Sequence, residues 1–180
     1  MKSDKYREVS IIGRIAYGMM CVEAYLINKY PQKKWDLLVE KLWKITKMEL
    51  WDDWMDEVIE IIPEYLFEFQ NYESAEFEYL SKEQYIELKY LFDGIGADVN
   101  QIVKLYYELA NSHAYSSIVE YGEESLIMLD KIIQFLMENN VNLPTDLEIM
   151  KHKFSENNGW GNTFIGQKYS TILTCDMLEN

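Results

Sequence analysis

Two pairs of glutamates three residues apart, Glu57 with Glu60 and Glu73 with Glu76, are the positions in this sequence that could grip a hard divalent cation. On a helix that spacing brings both carboxylates to one side, and oxygen donors of this kind suit Mg²⁺ or Ca²⁺. A small all-α, Mg-dependent hydrolase is the enzymatic reading. Three features weigh against it. The second pair falls where helical periodicity is lost, no E-x-x-D pair stands on a second helix, and no Lys or Arg between residues 49 and 80 could receive a phosphate. A di-iron bundle needs Glu three positions before His, and neither His113 nor His152 has one. For nucleophilic chemistry His113 is the one histidine worth weighing, with Ser112 beside it in sequence only. A histidine hydrogen-bonded at a helix junction is the expectation. Cys21 has no cationic neighbour to lower its thiol pKa and reads as core, and Cys175 has no partner at metal-ligand spacing. No catalytic residue, metal ligand or cofactor is assigned.

The carboxylates carry a stronger signal as a surface. The chain has 17 basic and 31 acidic residues, a formal net charge of -14. Residues 1–48 hold 10 basic and 5 acidic side chains, whereas residues 49–93 hold 2 and 14. From Glu49 to Leu80 there are 11 carboxylates and no Lys or Arg. At ~100° per residue, Leu50, Trp51, Trp54, Met55, Val58, Ile61 and Ile62 fill an arc of about 140°, while Glu49, Asp52, Asp53, Asp56, Glu57 and Glu60 span roughly 200° to 340°. Like-sign pairs four apart, such as Asp52 with Asp56, Asp53 with Glu57 and Glu60 with Glu64, each cost a helix ~0.2–0.5 kcal/mol. Tolerating several together is what a surface that meets a cationic protein would look like. Glu49, Asp52, Asp53, Asp56, Glu57, Glu60 and Glu64 are therefore the candidate partner-binding residues, with Trp160, set between two glycines, as a further anchor.

The same charge argues against nucleic acid or an anionic membrane surface as partner, because those ligands are gripped by clustered Lys and Arg. No uncharged stretch runs much past about eleven residues, against the roughly 20 of a membrane span. The opening MKSDKYREVS has no apolar core of signal-peptide length. A cytoplasmic protein is expected.

Helical periodicity supplies the elements that carry these residues. Val9, Ile12, Ala16, Glu23 and Leu26 mark a first helix ending before Pro31. Trp35, Leu38, Leu42 and Ile45 mark a second. The acidic helix runs from about Leu50 to Ile62, with a break at Pro63 and a short continuation to Phe69. Residues 70–80 read as a connector. Ser81 with Gln84, Asp98 with Gln101 and Thr145 with Glu148 are spaced as capping boxes and predict three further helix starts. Another helix carries Ile118, Leu126, Leu129, Ile133 and Leu136 to Asn139. Beyond Phe154 the Gly- and Asn-rich chain reads as irregular. The expectation is all-α: one domain over 1–180, a bundle of about seven helices, with the irregular segment 153–180 packed on it.

The runs RIAYGMMCVEAYL (14–26), YPQKKWDLLVEKLWKIT (30–46), WDDWMDEVIEIIPEY (51–65), ELANSHAYSSI (108–118) and FSENNGWGN (154–162) together resemble a family of helical immunity proteins from bacterial polymorphic-toxin systems of the contact-dependent inhibition type. The resemblance covers most of the chain by layout and order. It implies a non-enzymatic protein whose partner is a cognate toxin, which it neutralises to protect the producing cell or its siblings. A basic toxin domain, such as a nuclease built to bind phosphate, would gain association rate from a concentrated negative face. An acidic interaction module with some other basic partner is the remaining alternative.

Overall fold

The computed structural model describes residues 1–47 and 51–173; Glu49 of the candidate face, and Cys175, lie outside them. Among the described residues the chain forms seven α-helices: α1 (Ile11–Lys29), α2 (Asp36–Trp43), α3 (Trp51–Ile59), α4 (Pro63–Leu66), α5 (Lys82–Phe92), α6 (Ala97–Asn111) and α7 (Glu123–Glu138). Short 3-10 turns lie between and beyond them, and the one β-type pairing among the described residues is an isolated antiparallel bridge between Val9 and Lys153. The all-α architecture is as the periodicity predicts. No described helix is long and apolar enough to cross a membrane.

The bundle is built around α1, which is apolar on nearly every side because nearly every side is covered. From Ile11 to Leu26 every residue except Met20 and Ala24 is buried. Helices α6 and α7 pack on it and on each other, and α2 crosses nearby. Gly18 sets the approach to α6, since a Cβ there would lie 2.5 Å from Leu109 Cδ2. Burying α1 also buries its polar residues, so each must find partners. Arg14 is completely buried and is satisfied largely by backbone: Nε donates to Tyr6 O, Nη2 to Arg7 O, and Nη1 to the Tyr121 and Gly122 carbonyls and to Ser125 Oγ. Burial lowers its pKa to about 10, so it stays charged at neutral pH. Glu23, also buried, accepts from Trp43 Nε1 at 2.6 Å and from the Ser170 hydroxyl and the Thr171 amide and hydroxyl. That carboxylate clips the irregular C-terminal segment onto α1. Phe164 N, donating to Thr46 O at 2.9 Å, fastens the segment again.

Three predicted helix starts meet different outcomes. Ser81 and Gln84 form the reciprocal box at the head of α5. Asp98 does not cap α6, which begins at Ala97 with Gly96 as its N-cap; its carboxylate instead accepts from the phenols of Tyr25 at 2.5 Å and Tyr30 at 2.9 Å. Two tyrosine donors already fixed by the core outcompete a cap. After Thr145 no α-helix forms, only a 3-10 turn over Ile149–Lys151. The long helix starts at Glu123, so Ile118 lies in the preceding loop.

Candidate functional site

The acidic helix α3 packs through Trp54 and Val58, both fully buried, and presents Asp52, Asp53 and Asp56 to solvent. Neither Asp53 nor Asp56 has an ion-pair or hydrogen-bond partner among the described residues, while Asp52 accepts from the exposed Tyr115 hydroxyl at 2.8 Å. These three stand where the helical wheel puts them.

Glu57 and Glu60 do not. Glu57 is only 8% exposed and accepts from Lys41 Nζ at 2.8 Å and Lys44 Nζ at 2.7 Å, so α2 neutralises it. Its wheel position is at the edge of the apolar arc, and packing against α2 closes over it. Glu60 is 7% exposed because α3 ends at Ile59 and the wheel no longer applies. Its carboxylate turns inward and accepts from three consecutive amides, Glu78 N at 2.7 Å, Tyr79 N at 3.0 Å and Leu80 N at 2.8 Å. Glu64 is exposed but pairs with Lys104 of α6 at 2.5 Å. The acidic surface is thus smaller than its sequence suggests, and part of the apparent like-charge penalty is offset by cations and amides from distant parts of the chain. Trp160 is half-buried against the body, edge-on to Trp51 with centroids 5.1 Å apart. It fastens its loop to the start of α3, where it lines a hollow with Trp51 and Ala114.

The structure adds residues that the sequence did not single out. Beside α3, between α4 and α6, lies a hollow of about 330 Å³ floored by Ile59, Ile62, Tyr65 and Tyr107 and rimmed by Glu64, Glu68, Glu108 and Lys104. A second, of about 440 Å³, lies between α6 and α7 and shares Tyr107 and Glu108 with the first. Burial raises the Tyr107 phenol above its ordinary pKa against the opposing hydrogen bond of Asn111, and the ring stacks on Trp54 of α3 with centroids 6.1 Å apart. The result is an apolar floor with an acidic border, the anatomy of a protein interface with an apolar centre and polar rim. Ile59, 41% exposed, and Ile127, 45% exposed, are the sequence signals that were available: apolar residues off the buried row of their helices.

The residues weighed for catalysis are otherwise engaged. Ser125 N donates to His113 Nε2 at 3.3 Å, so the ring lacks the free pair of nitrogens that a nucleophile–base–acid relay uses. Its Nδ1 lies 3.6 Å from the Glu124 carboxylate, and burial lowers its pKa. Ser112 Oγ donates back to Leu109 O at 2.8 Å. The Cys21 thiol is buried, which pushes its pKa up. Glu57 and Glu60 take different partners, Glu73 pairs with Lys82, and no group of three or more His, Cys, Asp or Glu among the described residues is arranged to hold a metal ion.

No protein-family model, curated protein or solved structure matches the chain.

Proposed function

We propose that this chain is an immunity protein, which binds a cognate bacterial toxin domain and neutralises it by laying an acidic surface against a cationic one. The observation that carries the reading is that the exposed Asp52, Asp53 and Asp56 share helix α3 with Ile59, which floors one side of a double hollow with an apolar floor and acidic rim. Free carboxylates speed and orient the approach of a basic partner. Apolar hollows give such an encounter its desolvated centre, where most binding energy concentrates. Among the described residues Lys104 is the one cation lining either hollow, and Glu64 already holds it. The layout of the sequence runs, which resembles that of helical immunity proteins, supports the same reading.

The test is genetic and biochemical. A large secreted toxin with a variable C-terminal domain should be encoded beside this chain. Expressing that domain alone should arrest growth, and co-expressing this chain should restore it through a complex that co-purifies. A toxin domain that remains fully active when mixed with an excess of this protein would overturn the reading.

A further inference from the structure

The hollow between α6 and α7 has a composition that selects one kind of side chain. Its floor is the Tyr107 ring with Ile127 and Met128; its rim carries the exposed carboxylates Glu108 and Glu124, and no Lys or Arg lines it. Asn111 also lines it, but its Oδ1 atom is shut off from solvent and is not presented to the hollow. Neighbouring His113 does not supply the missing cation, since it is 3% exposed and burial favours its neutral form.

We propose that this hollow receives an arginine side chain from the partner. The inference rests on the protein-binding reading above and names the group that the partner inserts. A guanidinium offers five N–H donors in one plane at the end of an aliphatic stem. The stem packs on Ile127 and Met128, the plane stacks on Tyr107, and the donors reach the two carboxylates. A lysine carries the charge but cannot stack its ammonium or fork between acceptors. A neutral apolar group leaves both carboxylates without a cation. A second copy of this chain is a poor source, because its two arginines are committed: Arg14 is buried, and Arg7 pairs with Glu123 at 2.5 Å.

The experiment titrates the full chain, labelled at Ile and Met methyls and Asn side-chain amides, with N-acetyl-arginine methylamide at low salt. The lysine and citrulline analogues are the controls. Saturable shifts should gather on Ile127, Met128 and the Asn111 amide, be at least tenfold weaker with lysine, and be absent with citrulline. Glu108→Gln with Glu124→Gln should remove them; Asp52→Asn with Asp56→Asn should not. Equal response to arginine and lysine, or shifts scattered over every acidic patch, overturns the assignment. If the arginine probe fails but toxin growth rescue holds, only this assignment falls. Loss of rescue with intact probe binding sinks the immunity reading instead.

Discussion

Glu57 of α3 and Lys41 of α2 meet at 2.8 Å with both side chains almost entirely removed from solvent, and Lys44 closes on the same oxygen at 2.7 Å. This contact turns a carboxylate that the sequence places on an open acidic face into the joint between two helices. Replacing one member of such a pair strands the other in the interior, a loss of about 3 kcal/mol or more. Glu57→Gln should therefore lower stability in urea unfolding by an amount of that order, and Glu57→Leu combined with Lys41→Met should recover much of it. Burial by itself would raise the Glu57 pKa, but hydrogen bonds and charge from the two lysines win and hold it below its ordinary 4.5. Its contribution is full above that value and fades as pH falls through the lower folded pKa. The gap between wild type and Glu57→Gln should shrink in that acid range; a constant gap would count against the ion pair as its source.

Glu60 makes a separate, local prediction. It is the acceptor for the amides of Glu78, Tyr79 and Leu80. Glu60→Ala should speed hydrogen exchange at those three amides while α1 and α6 exchange as before. Uniform acceleration across the chain would mean that the carboxylate supports the whole fold and not this connector.

His113 gives the fold a second acid sensitivity. Burial lowers its pKa below the ordinary 6.5, so below that pH the unfolded chain binds a proton that the folded chain refuses. Stability should decline as pH falls below about 6.5, and His113→Gln should reduce that slope, the remainder coming from His152, which burial also holds below its ordinary pKa. Calorimetric scans at closely spaced pH values check it. An unchanged slope would place the sensitivity elsewhere.

These contacts show where the sequence was legible and where it was not. The apolar rows of α3, α5, α6 and α7 follow from spacing alone, because burial on one side imposes the helical period. Asp52, Asp53 and Asp56 are legible for the same reason. Glu57 and Glu60 are misplaced by the wheel because their environment comes from elsewhere in the chain: lysines 16 and 13 residues upstream for one, and amides 18 to 20 residues downstream for the other. A wheel also assumes that the helix continues, and α3 stops one residue before Glu60. The double hollow was invisible because it belongs to no single helix. Tyr107 and Glu108 acquire meaning only when α4 and α7 come to lie on either side of α6.

The central claim is that Asp52, Asp53 and Asp56 guide a cationic toxin domain onto this surface. The direct measurement is the association rate of the two purified proteins by stopped flow across a salt series, comparing wild type with Asp52→Lys, Asp53→Lys and Asp56→Lys combined. These side chains are exposed, so the variant should unfold within about 0.5 kcal/mol of wild type per site. The wild-type rate should fall steeply with salt, and the variant should associate at least about tenfold more slowly at low salt, the two converging as screening shortens the reach of charge. Equal rates for both proteins at every salt concentration would contradict the account.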